Sequence, residues 1–536
     1  MPEEVDTKDA LAHVELVASS EIDPHSQRFS LIRAVRIWPK AAGYGLALTS
    51  VILLWGYDMA MVGNLASLPA FRKDYGVLVD DEWIIASEWM SAWNAASPIG
   101  IMLGSILGGA LQDRKGRRAS LAIGCLTSTI GVAVVFSSQY ADQSGAARPA
   151  IFMVGKFLQG LTIGTAVCAA QTYMSEVLPQ ALRGPLIAFF PIFFLLGQLI
   201  SAFIVFAAED EESSESYRNC IISQWPFSAL PLIISVLIPE SPAYLVRRGR
   251  LEEATKAETR LNKAGANISA TIAQLQRAIA HEQLEAQSDK ARYLDCFKGI
   301  DRRRTLIVIL AAVLPQLFGL ALLGDGPYFM QMVGQGSSES IIFLIIGIVL
   351  GIIGSLVDMW LTTVTGRRKL ILTTLLIITL LWLGMGICGS FDTPVVPWYA
   401  SVTMNLVVLV ASLGAWPVSY VVGAETSSLR LRAKSQGIGW AFGGVANFAF
   451  STVSPYTYNP DSGDLGAKVG YIWFGLCIVT FVLAYFHIPE TRGRTTYQLD
   501  LIFEERTPAR KFAQWSGPSV ELPITVAEKG ATEESA

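Results

Sequence analysis

Two ionisable side chains stand deep inside apolar runs: Asp58, in Gly56-Tyr57-Asp58, and Lys156, in the stretch G-K-F-L-Q-G. In such surroundings a charge costs on the order of 3 kcal/mol or more unless it is paired or wet. A carboxylate and an ammonium brought together relieve each other, and separating them in a dry site favours proton uptake by the acid. The alternative is an ion pair that only fixes one helix against another. A third acid, Asp325, and the carboxamides Gln198 and Gln316 lie in other apolar runs. A carboxamide supplies both donors and an acceptor to a hydroxyl-rich ligand, although a buried glutamine also serves as glue between helices.

A second group of residues could move rather than react. Gly108 to Arg118 reads G-G-A-L-Q-D-R-K-G-R-R, flanked by apolar runs long enough to cross a bilayer. Asp113, Arg114, Lys115, Arg117 and Arg118 therefore fall in a tight hairpin between two spans. Simple positive charge beside a membrane would account for the bases. The acid and the glycines Gly109 and Gly116 at fixed spacing point further, to a conformational latch. A weaker echo, Gly366-Arg367-Arg368, has Thr363 where the acid would be, and Asp358 lies too far back to substitute for it. Carboxylates stand close to arginines at four more run ends: Glu176 with Arg183, Glu240 in P-E-S-P, Glu425 with Arg432, and Glu490 with Arg492. Structural capping is the plainer reading of these pairs.

The elements that must position these residues follow from composition. The chain has 536 residues, 52% apolar and only 16% charged, with a mean hydropathy of +0.43, so it lacks the polar residues that a water-facing surface needs. The net charge of -4 gives no support to nucleic acid as a partner. The six cysteines are scattered and the four histidines have no ligand spacing, so neither a disulfide framework nor a metal or cofactor site is expected. No nucleotide-binding loop of the form G-x-x-x-x-G-K-[ST] occurs and no catalytic constellation stands out, so no enzyme is expected.

Each span must satisfy its backbone internally across about 30 Å of hydrocarbon, which takes roughly 20 residues of helix. Twelve such runs are expected near 41–63, 89–111, 119–138, 150–175, 185–207, 220–238, 305–331, 339–362, 369–390, 396–424, 435–456 and 467–487. The even-numbered short loops carry about eleven Lys and Arg against about four in the odd-numbered loops, which places both termini in the cytosol. The expected organisation is a polar N-terminal tail (1–40) without a cleaved signal peptide, a six-helix bundle (41–238), a linker with amphipathic helices (239–304), a second bundle (305–487) and a C-terminal tail (488–536). The Asn267 sequon falls in the linker and is read as unused.

The hairpin, its echo and the four carboxylate motifs together resemble the sugar porter family of the major facilitator superfamily over nearly all of residues 36–510. Gly56-Tyr57-Asp58, Leu68-Pro69-Ala70-Phe71, P-E-S-P-A-Y-L-V-R-R-G-R, Leu431 to Ser435 and Pro508 to Phe512 resemble fungal α-glucoside (maltose-type) permeases. The resemblance implies an all-α major facilitator fold of two six-helix halves, and a monomeric multi-pass protein of the plasma membrane. It also implies a secondary transporter of sugars or glycosides, with protons carried by Asp58 under the control of Lys156. Its substrate set would be Gln198, Gln316, Tyr420, Asn447 and Asp325. The chain departs from that pattern: Pro191, Pro315, Ala321 and Gly443 stand where amides are expected, and Lys156 replaces an arginine. Fewer amides mean fewer hydroxyls read, so efflux of a metabolite made by the cell and uncoupled facilitation stay open as alternatives. A nutrient receptor would usually need a longer cytoplasmic tail.

Overall fold

The computed structural model describes residues 35–515, apart from 80, 143–145, 180–181, 183–185, 187–188, 209–212, 263–267, 289–292, 392, 429–430 and 495. The first 34 residues, Arg183, Asn267 and the last 21 residues lie outside the described set.

Ten helical stretches among the described residues are long and apolar enough to cross a bilayer. The first half contains α1 (Pro39–Ser67), the short α2 (Pro69–Tyr75), α3 (Ser87–Lys115), α4 (Arg117–Ser137), α5 (Ala147–Val177), α6 (Phe190–Ala208), α7 (Glu215–Ile222) and α8 (Gln224–Leu237). The expected sixth span is thus two helices meeting at Ser223. Between α2 and α3 an antiparallel pair, β1 (Val77–Val79) and β2 (Glu82–Ile84), sets Val77 opposite Ile84. That hairpin was not foreseen.

Small residues hold this half together, because lipid offers no hydrophobic drive between helices and close backbone approach must supply the contact. A Cβ on Gly56 would fall 1.9 Å from the Phe194 carbonyl oxygen, and one on Gly197 would fall 2.2 Å from that of Leu53, so α1 and α6 touch backbone to backbone. Gly100 and Gly104 of α3 and Gly160 and Gly164 of α5 interlock in the same way, each with a backbone oxygen within 2.3 Å of the missing Cβ. The G-x-x-x-G spacing in both helices is therefore a packing signal.

The linker forms α9 (Pro242–Arg247), α10 (Leu251–Leu261) and α11 (Ile268–Ser288). Apolar faces of these helices meet in a satellite cluster of Tyr244, Leu245, Ala254, Ala257 and Ile272.

The second half opens with a correction. The run expected as one span at 305–331 is broken into α12 (Gly299–Leu317), α13 (Leu320–Gly324) and α14 (Gly326–Met332). Pro315 weakens the ladder, and Gly319 takes a left-handed φ of +105° that reverses the local winding. Broken helix is tolerated at membrane depth only where protein or a wet cavity surrounds it. The rest are α15 (Ser337–Val364), α16 (Arg367–Cys388), α17 (Val396–Val410), α18 (Trp416–Thr426), α19 (Arg432–Tyr458), α20 (Gly470–His487) and α21 (Thr496–Glu504). A π turn at Ala411–Ala415 joins α17 to α18. Together with the broken helix, α19 completes the twelve expected spans. It falls outside the ten apolar stretches because it carries glycines instead of bulk: a Cβ on Gly439 would meet Val308 of α12 at 2.8 Å, and one on Gly444 would meet Met102 of α3 at 3.4 Å.

The segment expected as a C-terminal tail returns to the bundle. Leu499, Ile502, Phe503 and Phe512 are buried, and Asp500 pairs with Arg304 at 2.6 Å. The P-A-R-K-F motif thus marks a docked segment.

Candidate functional site

At one end of the bundle, α3 turns into α4 through Gly116, whose φ is +95°. The Glu240 carboxylate sits over this turn and accepts hydrogen bonds from the backbone N–H of Arg117 (3.0 Å), Arg118 (3.3 Å) and Ser241 (2.9 Å). A carboxylate there satisfies the orphan amides of the first turn of α4 and complements its dipole. Gly116 is required by space as well as by φ, since a Cβ would lie 2.3 Å from Glu240. The Arg117 guanidinium reaches Glu176 at 2.8 Å, and Ser241 donates to the other oxygen of Glu176 at 2.6 Å.

The second half repeats this arrangement almost bond for bond. Glu490 accepts from the N–H groups of Arg367 (2.9 Å), Arg368 (3.2 Å) and Arg492 (3.1 Å). Arg367 reaches Glu425 at 3.2 Å, and Thr491 donates to Glu425 at 2.5 Å. Gly366 has an ordinary φ of -69°, but a Cβ would fall 2.1 Å from Glu490. What reads in sequence as a faint echo is thus a complete second cluster.

Other expected members of the set stand apart. The Asp113 and Arg114 side chains are exposed, and among the described residues Asp113 pairs with no base; only the two backbone carbonyls are engaged, by Arg248 and Tyr244. Around Gly109 a Cβ would meet nothing, whereas one on Gly108 would lie 2.9 Å from Thr165. Arg432 is exposed at the start of α19, so Glu425 is held by Arg367 instead.

Deep in the first half, Lys156 of α5 donates to Asp58 Oδ1 at 2.6 Å and to the Asp58 carbonyl at 3.2 Å. The two side chains are 2% and 3% exposed, and Asp58 Oδ2 is buried without a hydrogen-bond partner. Removing either partner would strand a buried charge. Both helices belong to the same half, so a rigid-body movement of one half against the other leaves this pair intact.

The substrate candidates do not form one hydrogen-bonded group. Gln316, 5% exposed, lies beside the break in the seventh span with its Oε1 unpartnered. Gln198 is half-buried on α6. Tyr420 of α18 stacks on Trp440 of α19, ring centroids 5.5 Å apart and planes 13° from parallel. Asn447 accepts from Ser451 at 3.3 Å. Asp325, at the break between α13 and α14, accepts from Asn94 of α3 at 2.7 Å. Asn94 was missed in the sequence, although a lone asparagine in an apolar helix is the kind of signal that finds such partners. Gln159 and Gln224 were missed as well, and they bond each other at 2.6 Å between α5 and α8.

Asn94 and Asp325 belong to a seam between the halves at the end opposite the clusters. Tyr328 Oη lies 3.1 Å from the Ile85 N–H and 3.2 Å from its carbonyl. Asn459 donates to the Ile85 carbonyl at 2.8 Å, Gln331 donates to the Ser67 carbonyl at 3.1 Å, and the Ser87 N–H donates to Asp461 at 2.7 Å. Among the described residues every hydrogen bond between the halves lies at this end or at Asn94. Among the described residues, the hydrogen-bonded latch between the halves is one-ended.

The sequence matches the family model described as sugar (and other) transporter over residues 45–503. The chain belongs to the sugar (and other) transporter family. Within that family it is 29% identical over 505 residues to a maltose permease of Saccharomyces cerevisiae, covering 92% of this chain and 80% of that one. It is 30% identical to the MFS transporter fmqE of Aspergillus fumigatus, covering 85% of each chain. Among solved structures, the inward open conformation of the xylose transporter XylE from E. coli aligns with a TM-score of 0.69 at 21% identity, over 86% of this chain and 99% of that one. XylE bound to 6-bromo-6-deoxy-D-glucose aligns at 0.66 and 20% identity, over 87% and 99%. This sugar (and other) transporter family member therefore has the all-α major facilitator fold and is a multi-pass membrane transporter, not an enzyme.

Proposed function

We propose that the chain carries a sugar or α-glucoside across the membrane by alternating access, as a monomer, with its clustered end and both termini in the cytosol of a plasma-membrane orientation. The observation that carries this reading is the one-ended seam. Halves whose described residues hydrogen-bond to each other at one end only have the geometry of a carrier caught facing one side. The excess of Lys and Arg at the clustered end supports a cytosolic position for it, and relatives named as maltose and α-glucoside permeases support the substrate class. In this state the free ends face the cytosol and the seam closes the outside.

Proton coupling through Asp58 is part of the proposal. The pair is buried, one carboxylate oxygen has no hydrogen-bond partner, and Lys156 is the one base that forms an ion pair with it among the described residues. Because both helices move together, coupling requires a shift of α1 against α5 within the half. An uncoupled carrier with a purely structural ion pair is the second reading, and that shared half favours it. Proteoliposomes taking up radiolabelled maltose, with and without an inward proton gradient, test both. Accumulation that collapses with an uncoupler supports symport, and saturable flux indifferent to pH and uncoupler supports the facilitator. No saturable flux of any glucoside overturns the sugar assignment.

A further inference from the structure

The outer seam carries an open cavity of about 420 Å³, and none of Asp58, Lys156, Gln198 and Gln316 lines it. Its walls come from both halves: Arg72, Glu82 and Trp83 from α2 and β2, and Gln331, Gln335 and Ser337 from α14, the turn after it and the start of α15. Gln331 and Gln335 are only 9% and 7% exposed, yet their Oε1 atoms have no hydrogen-bond partner. Arg72 forms no ion pair among the described residues, and its Nε is buried without an acceptor. Polar atoms left in this condition are uncommon in folded proteins and ask for a ligand or water.

The donor and acceptor set selects the ligand. Two carboxamide oxygens and the Glu82 carboxylate accept from hydroxyls, the Arg72 guanidinium donates to ring or hydroxyl oxygens, and the indole of Trp83, 41% exposed, offers a flat apolar face. A molecule with many hydroxyls on one edge and C–H groups on a flat face is a pyranose. The volume lies within the range of small-molecule pockets, about 300–1,000 Å³. We propose that this cavity is a second, outer saccharide site whose occupancy holds the seam shut. The proposal rests on the alternating-access reading, because the walls belong to different halves and the site exists only while they are together. A ligand that binds only the closed form shifts the population towards it. Sugar on the outer side would then slow the return of the empty carrier.

The test uses purified full-length protein carrying Ile85→Cys, a buried seam position whose native contacts to Tyr328 and Asn459 run through its backbone. Labelling by a charged maleimide reports opening, with the parent protein correcting for native cysteines. Maltose at ten times its dissociation constant should slow labelling by about elevenfold, the factor 1 + [L]/Kd. Gln335→Ala and Trp83→Ala should each abolish protection, Trp83→Tyr should retain most of it, and Gln316→Ala should leave it unchanged. If Gln335→Ala fails to fold, Trp83→Ala and its tyrosine rescue carry the test. Protection that survives both outer substitutions, or is lost in Gln316→Ala alone, places the effect in the central cavity and overturns the outer site while leaving transport standing. Labelling that stays at the parent level in every condition means that the halves do not part, and both readings fall.

Discussion

Asn94 on α3 and Asp325 between α13 and α14 are 231 positions apart in sequence, yet the amide of one donates to the carboxylate of the other at 2.7 Å across the line where the halves meet. Gly63 of α1 makes room for this contact, since a Cβ there would lie 2.8 Å from the Gly324 carbonyl and 3.1 Å from the Asp325 Cα. An acid in this position adds a side-chain bond to the backbone contacts that close the seam.

Asn94→Ala is therefore expected to loosen the closed seam. Loss of a buried hydrogen bond that leaves its partner unsatisfied costs roughly 1–3 kcal/mol, which corresponds to an opening equilibrium shifted by about five- to 150-fold. Maximal uptake should fall at unchanged membrane level, and Ile85→Cys labelling should rise. Equal labelling with and without Asn94 would show that the bond does not hold the seam.

Asp113 and Arg117 should part company although they lie in one motif. Arg117 is 6% exposed and paired, so Arg117→Ala should lower the melting temperature, whereas Asp113 faces solvent here. Asp113→Arg should leave the melting temperature within a degree or two and, if Asp113 latches the other state of the cycle, still slow transport. Normal flux at normal surface level in that variant removes the latch role.

The two glycines of the hairpin should also differ. Gly116→Ala meets both a left-handed φ and the Glu240 carboxylate, and should cost about 1–3 kcal/mol or more, whereas Gly109→Ala meets open space and should be silent. Thermal unfolding of the purified variants in detergent decides it.

For the ion pair, Lys156→Met alone should destabilise by about 3–5 kcal/mol because it strands a buried carboxylate. The double variant Asp58→Asn/Lys156→Met should recover most of that loss. If Asp58 carries the proton, Asp58→Asn also loses accumulation against a gradient while exchange persists, and uptake becomes flat between external pH 5 and 8. A single variant as stable as the double would mean that the stranded carboxylate carries no penalty.

If the expected substrate amides read hydroxyls, Gln198→Ala and Gln316→Ala should each raise the apparent KM for the transported sugar, by about tenfold where one hydrogen bond worth roughly 1–1.5 kcal/mol is lost. Wild-type KM in both variants would mark these amides as helix contacts.

The spans, the paired halves and the hairpin were legible because apolar length and charge alternation are local properties of the chain. Asp58 and Lys156 could be singled out for the same reason: a charge in an apolar run is visible without a structure. The break at Gly319 was hidden by an apolar run that continues through it from Val308 to Leu323. The seam between the halves was hidden more deeply, since Ile85, Tyr328 and Asn459 acquire meaning only when helices far apart in sequence meet. The Gly366 cluster was underrated because its missing acid drew attention, whereas the carboxylate that matters there, Glu490, lies 123 positions away.

The two clusters share a plan but not a stiffness. Arg117 and Glu176 sit 2.8 Å apart at 6% and 13% exposure, whereas Arg367 and Glu425 sit 3.2 Å apart at 19% and 32%. Water and salt screen the second pair more strongly, so it yields at lower cost. One side of the carrier is then a rigid block and the other a compliant one: under load, the distortion collects in the second half, and rising ionic strength softens that half first.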